Sequence, residues 1–206
     1  MINYNYLLVV TIFALMYCIY AEIGIQVSVL FYPFKQYSTV DIAFMAICFV
    51  LFGACSAACT GLILDRTGKY IFMFRAVLLS STIILTLSLL MIPAPGLWSG
   101  VMWCTFAGIF LVPIVPITFN FVTEITHPLS PATVLNFTLI VGNIALTIVN
   151  FIFIAILKAK TKSASMTAFA LMTAIAAVSF LLSLFVKEDL RRITSVNDLK
   201  LMLQQS

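Results

Sequence analysis

Six long apolar runs constrain the fold of this chain more than any other feature. An α-helix crosses a bilayer core about 30 Å thick with about 20 apolar residues, and each run is long enough to do so. The runs cover about residues 6–32, 40–64, 70–92, 98–126, 132–157 and 166–186. Only 9% of the residues are charged, whereas soluble domains carry about 25%. The sequence therefore predicts an all-α integral membrane protein with six transmembrane helices.

Positive charges indicate which way the spans cross the membrane. An even number of spans places both termini on one side, together with the loop after the second span. That side carries seven basic residues and the other side four. The seven on the side of the termini are Arg66, Lys69, Arg75, Lys187, Arg191, Arg192 and Lys200. The four on the other side are Lys35, Lys158, Lys160 and Lys162. Because cytoplasmic loops carry an excess of Lys and Arg, we expect both termini to be cytoplasmic.

The chain divides into a transmembrane bundle, residues 1–187, and a polar tail, residues 188–206. Apolar residues recur in the tail at helical spacing, beside charged residues. They are Leu190, Ile193, Val196 and Leu199. This pattern is typical of an amphipathic helix at the membrane interface, and a frayed terminus is the alternative. We expect a cytoplasmic amphipathic tail.

The sequence carries no catalytic or metal-binding pattern. All five cysteines lie within apolar runs, where they act as small apolar side chains, and the single histidine, His127, lies in a loop. No Ser/His/Asp set, histidine cluster or carboxylate pair stands at catalytic spacing. The basic residues form short clusters between apolar runs, which predict topology and not nucleic-acid binding. We expect no enzyme activity, metal, cofactor or nucleic-acid partner.

The fourth run contains two prolines three residues apart, Pro113 and Pro116. Proline in a helix removes a backbone donor and clashes with the preceding turn, so a kink is predicted here. Two tryptophans, Trp98 and Trp103, stand near the start of the same run. They are predicted to anchor the span at the membrane interface, where tryptophan is enriched.

Three polar residues follow the prolines: Asn120, Glu124 and His127. Glu124 lies near the predicted membrane edge, where its carboxylate can reach water or pair with a basic residue. A role in proton coupling would instead require that the carboxyl is desolvated. His127 fits a capping or surface residue better than a proton relay.

Glu22 and Gln26 interrupt the first run one helical turn apart. Ionisable residues inside a span are costly and tend to mark function. We favour a cavity-facing carboxylate that attracts a cationic substrate, and pairing with a neighbouring helix is the alternative.

The fifth run places three asparagines at intervals of seven, with a threonine between the last two. They are Asn136, Asn143, Asn150 and Thr147. Two helical turns span about seven residues, so these side chains share one stripe. The stripe could hold helices together, at about 0.6 kcal/mol per amide. Because it exceeds what one packing seam requires, we favour a water-filled path.

The loop between the second and third spans has a recognisable pattern: Gly61, Asp65, Arg66, Gly68 and Lys69. It resembles the loop signature of the major facilitator superfamily, in its second-half version. The carboxylate in such a loop can accept from donors at a neighbouring helix end and pair with the basic side chains. The alternative is a positive cytoplasmic loop with ordinary turn residues.

The segment after Pro116 resembles the end of the tenth helix in transporters related to the feline leukaemia virus subgroup C receptor. The matching residues are Phe119, Phe121, Glu124, Thr126 and Pro128. Asn120 stands where that family often has glutamate, His127 where it has tyrosine, and Pro131 replaces an acid. Asn143 falls about where relatives carry an amide that lines the central cavity.

The resemblance covers essentially the whole chain and implies its fold and function. The fold would be a 3+3 inverted-repeat bundle, one half of a major facilitator transporter. Such transporters bind substrate near the midplane between two halves that rock against each other. The implied substrate is a small organic solute, choline-like or haem-related, and the implied location is the plasma membrane. The partners would be membrane lipid and a second six-helix half, on the same or a separate chain.

On this interpretation the polar residues fall into two groups. The cavity candidates are Glu22, Gln26, Asn120, Asn143, Thr147 and Asn150. The candidates for a cytoplasmic gate are Glu124, His127 and the loop that contains Asp65. Two other interpretations stay open. The chain could be a truncated fragment, or a non-transporting membrane scaffold or receptor-like protein whose polar groups hold its helices together.

Overall fold

The computed structural model describes residues 4–34, 37–93 and 96–186. These residues form helices joined by short connections. The helices are α1 (Tyr4–Phe31), α2 (Thr39–Thr67), α3 (Tyr70–Met91), α4 (Leu97–Leu111), α5 (Ile114–Ile125), α6 (Pro131–Leu157) and α7 (Lys162–Ser183). The proposed tail, residues 188–206, lies outside the described residues.

All six predicted apolar runs are helical, five of them as single long helices. α1, α2, α3, α6 and α7 are each long and apolar enough to cross a membrane, and so is the continuous stretch Leu97–Ile125, which contains α4 and α5. The prediction of an all-helical chain with six membrane-spanning stretches is confirmed.

The helix ends explain where the structure departs from the apolar runs. α7 begins at Lys162, four residues before its run, because the Thr161 hydroxyl accepts from Ala164 N at 3.2 Å and caps the first turn. At the far end of α2, Gly68 adopts a left-handed conformation with φ 61° and donates to Leu64 O. Hydropathy reports the length of a span, whereas capping chemistry decides where the helix begins and ends.

The fourth span is interrupted at Val112 and Pro113, between α4 and α5. Pro113 has no N–H, so it cannot donate to the carbonyl of Ile109 four residues earlier. That carbonyl accepts from the Ser56 hydroxyl of α2 at 2.7 Å. The next carbonyl, Phe110 O, accepts from the Ser81 hydroxyl of α3 at 2.8 Å. Neighbouring serines thus stabilise an irregular backbone at membrane depth, where no solvent could do so.

α2 and α4 approach each other through glycine. A Cβ on Gly108 would collide with the backbone carbonyl of Phe49, and a Cβ on Gly53 would collide with the Val112 side chain. Small residues allow such close contact, which is how helices associate in lipid without a hydrophobic driving force. The contacts at Gly53 and Gly108 therefore pack the fourth span closely against α2.

The prediction that Trp103 anchors the span at the membrane interface is wrong. Trp98 is 71% exposed, as an interfacial anchor would be, but Trp103 is fully buried. Its ring packs edge-on against Phe169 at 5.3 Å between centroids, and its indole N–H donates to Ile84 O at 3.0 Å. Because α3 and α7 supply these partners, Trp103 belongs to the core of the bundle.

Candidate functional site

A shallow cavity of about 630 Å³, open over most of its surface, lies between α1, α2, α6 and the α4–α5 junction. Its walls come from Tyr17, Tyr20, Ala57, Ala58, Val112, Val115, Pro116, Phe119 and Leu139. The proline interruption lies directly in this wall, and the two alanines opposite leave space in it. Pro116 stands in the first turn of α5, where a helix tolerates a missing N–H.

Aromatic rings give the cavity its chemical character. Tyr17 and Tyr20 of α1 and Phe119 of α5 line it, and Phe13 stands behind them at 5.3 Å from Tyr17 and 5.8 Å from Phe119, between ring centroids. Tyr20 also stacks on Phe49 of α2 at 6.2 Å. Aromatic faces attract organic cations, and quaternary ammonium groups in particular. The wall is suited to a small cation with apolar substituents.

Two hydrogen bonds join the polar residues of α1 to the asparagine stripe of α6. The Tyr17 hydroxyl donates to Asn143 Oδ1 at 3.4 Å, and Gln26 Nε2 donates to Asn150 Oδ1 at 3.0 Å. Thr147 Oγ1 donates to the backbone carbonyl of Asn143 at 2.9 Å. Asn143 and Asn150 therefore contribute to the packing of α6 on α1, whereas the Thr147 bond lies within α6. Tyr17 connects this packing seam to the cavity.

Glu22 lies completely buried on α1. It belongs to a row of buried residues one turn apart, which are Val10, Ala14, Cys18, Glu22 and Gln26. Within the described part of the chain, neither carboxylate oxygen of Glu22 has a hydrogen-bond partner. α6 and α7 both pack against α1; the only acidic or basic residue in these two helices is Lys162, and it lies over the Phe34 ring beyond the end of α1. Glu22 is not a lining residue of the aromatic cavity.

The remaining cavity and gate candidates occupy two places. Asn120 is half-buried on α5, Glu124 near the end of α5 is only 5% exposed, and His127 is half-buried in the connection that follows. The loop candidates Asp65, Arg66 and Lys69 are exposed at the junction of α2 and α3, and Gly61 is half-buried. The structure thus joins α1 to Asn143 and Asn150 of α6, leaves Thr147 exposed, and places the loop residues elsewhere.

Sequence reasoning missed the aromatic residues that line the cavity. Tyr17 and Tyr20 stand three residues apart, which puts them on one helical face. That spacing was an available signal, but apolar and aromatic residues also fill ordinary cores. Phe119 could be added only once α5 was known to pack against α1.

The six helical stretches define the class of this chain, which is a multi-pass membrane protein. No protein-family model matches the chain, and no curated protein matches it.

Proposed function

We propose that this chain is one six-helix half of a major facilitator transporter, which moves a small organic solute by alternating access. The observation that carries the proposal is the pattern of helix packing. α2 packs against α4, and α1 packs against α6; α1 packs against α7, and α3 packs against α4.

Numbered in chain order, spans 1 to 3 are α1, α2 and α3, span 4 contains α4 and α5, and spans 5 and 6 are α6 and α7. If spans 1, 2 and 3 are exchanged with spans 4, 5 and 6, each of these contacts becomes another of them. The contact of α2 with α4 (spans 2 and 4) becomes the contact of α6 with α1 (spans 5 and 1). The contact of α1 with α7 (spans 1 and 6) becomes the contact of α4 with α3 (spans 4 and 3). Consecutive spans alternate in direction, so two units of three spans run in opposite senses. This is the arrangement expected of a 3+3 inverted repeat.

The exposed helices support a second half as partner. α2 and α6 flank the cavity and are the least buried spans, with 28% and 11% of their apolar windows buried, against 56% for α1 and for Leu97–Ile125. A second six-helix half, on the same or another chain, would cover the cavity by packing on these helices, with lipid around the outside. Substrate would then bind between the halves.

The substrate class follows from the aromatic wall. Tyr17, Tyr20 and Phe119 present rings to one cavity, and the resemblance to transporters related to the feline leukaemia virus subgroup C receptor agrees with a choline-like cation. Glu22, Gln26, Asn120, Asn143 and Asn150 would support this site from α1, α5 and α6. Glu124, His127 and the Asp65 loop would form the cytoplasmic gate in the plasma membrane.

Uptake of radiolabelled choline into membranes that contain the protein tests the proposal. Phe119→Leu keeps the volume of the side chain but removes the ring. A cation–π contact is worth about 1 kcal/mol, so KM for choline should rise about fivefold. Phe185→Leu is the matched control and should leave KM unchanged. Phe185 is exposed just after α7, does not line the cavity, and is not on α2 or α6. Equal KM values for the wild type and Phe119→Leu would contradict a choline-like substrate.

The rival function is a membrane scaffold or receptor-like protein that transports nothing. Glu22→Ala and Asn143→Ala separate the two functions. Transport predicts that uptake falls while the amount of protein in the membrane stays normal. A scaffold predicts that the amount of protein falls and that no solute-dependent uptake exists to lose.

A further inference from the structure

A second cavity, of about 650 Å³, lies between α3 and α7. We call it the α3–α7 groove. Its lining residues are Lys69, Ile71, Phe72, Arg75, Ala76, Leu79, Phe180 and Leu184. Six of the eight are apolar, and the two others are basic. Lys69 also belongs to the loop proposed as part of the gate, whereas the other seven lining residues have no part in the proposed transport path.

Arg75 holds the two helices of the groove together. Its Nε donates to Ser183 O at 3.2 Å, and its Nη2 donates to Leu184 O at 3.3 Å and to Val186 O at 3.0 Å. These carbonyls lie at and just after the end of α7, and Ser183 O also accepts from Val186 N at 3.2 Å. A cation at the C-terminal end of a helix also interacts favourably with the helix dipole. The guanidinium therefore fixes the mouth of the groove and leaves a positive charge there.

The basic and the apolar lining residues of the groove lie at different depths in the membrane. Lys69 precedes α3 and is exposed. Phe72 and Leu79 follow on α3, and their separation of seven positions corresponds to about 10 Å along the helix at about 1.5 Å per residue. On α7, Leu184 stands beside Arg75 and Phe180 lies one turn further into the membrane. The positive charge is thus at the membrane edge, and the apolar lining extends inward.

We propose that the α3–α7 groove binds an anionic phospholipid of the leaflet on the side of Lys69. The phosphate would lie at Lys69, within the positive field of Arg75, and an acyl chain would follow Phe72, Leu79 and Phe180. Basic pockets between transmembrane helices bind anionic headgroups in this way. Charge complementarity favours this occupant, because residues 65–75 carry three basic side chains against one acidic side chain. A free phosphate would gain nothing from the apolar lining.

Native mass spectrometry of the purified full chain tests the proposal without reference to transport. The protein in detergent is titrated with phosphatidylserine or with phosphatidylcholine. A basic residue near an anionic headgroup contributes about fivefold in affinity, so Lys69→Gln should weaken phosphatidylserine binding about fivefold and leave phosphatidylcholine binding unchanged. Lys158→Gln is the matched control, because Lys158 is exposed at the end of α6 and does not line the groove. Equal phosphatidylserine affinities for the wild type and Lys69→Gln would overturn the proposal, as would an equal loss in Lys158→Gln.

Two further measurements identify the occupant. Ala76→Phe fills the groove and should reduce the binding of both lipids, while millimolar inorganic phosphate should displace neither. Displacement by phosphate would show a free-anion site and contradict a lipid site. In native membranes, p-benzoylphenylalanine at Phe72, which is 68% exposed, should form a lipid adduct on irradiation. A crosslink to residues 187–206 or to a second copy of the chain would show a protein occupant and overturn the proposal.

Discussion

Gly108 decides how closely two helices can approach. An added Cβ would meet the backbone carbonyl of Phe49, which cannot rotate away as a side chain could. We therefore expect Gly108→Ala to lower the free energy of unfolding by about 2–3 kcal/mol, the upper part of the range for overpacking. Reversible unfolding in mixed micelles measures this change.

Gly24 supplies the control for Gly108. Its Cβ position has no heavy atom within 4 Å, and alanine forms helix better than glycine by about 1 kcal/mol. Gly24→Ala should therefore leave the stability unchanged or raise it slightly. If Gly108→Ala were as stable as Gly24→Ala, the close approach of α2 and α4 would be wrong.

The hydrogen bond between Gln26 and Asn150 gives a second prediction for single residues. Interhelical hydrogen bonds in membranes average about 0.6 kcal/mol. A double-mutant cycle with Gln26→Leu and Asn150→Leu should give a coupling energy of about this size in unfolding experiments. The pair Gln26 and Asn136 is the control, because Asn136 is exposed, and its coupling energy should be near zero. A near-zero value for Gln26 and Asn150 would contradict the contact.

At the level of elements, the interrupted fourth span depends on hydroxyl groups from its neighbours. Ser56→Ala removes the hydroxyl that donates to Ile109 O, the carbonyl to which Pro113 cannot donate because it has no N–H. A buried carbonyl without a partner costs about 1–3 kcal/mol, so we expect a loss of stability of this order. Ser80→Ala is the control, since the Ser80 hydroxyl donates to Val77 O within its own helix. A loss no greater than that of the control would mean that the interruption does not need Ser56.

The elements also show how much the sequence could predict. The length of the apolar runs identified all six membrane-spanning stretches, and the chemistry of proline indicated the region where the fourth helix is interrupted. The partners of each helix were not predictable, because lipid-facing and buried positions share the same apolar residues. Trp103 was assigned to the interface for this reason, and the convergence of Tyr17, Tyr20 and Phe119 was missed. Glu22 and Gln26 were visible because polar residues are rare in spans, but their burial depended on α6.

At the level of the whole molecule, alternating access requires that one cavity opens in turn to both sides of the membrane. The cavity beside α2 is open in this structure, and the exposed faces of α2 and α6 are where a second half would close it. A scaffold requires neither access from both sides nor any change when a solute binds.

Cysteine accessibility in native membranes tests this requirement most directly. Ala58 lines the cavity and is exposed, so Ala58→Cys is introduced into a chain in which the exposed Cys55 and Cys59 are replaced by alanine. Leu129→Cys, in the connection between α5 and α6, is the control for a site on one side. We predict that a membrane-impermeant thiol reagent labels Ala58→Cys from both sides, more slowly with saturating choline, and labels Leu129→Cys from one side only. Labelling of Ala58→Cys from a single side, at a rate unaffected by choline, would contradict alternating access.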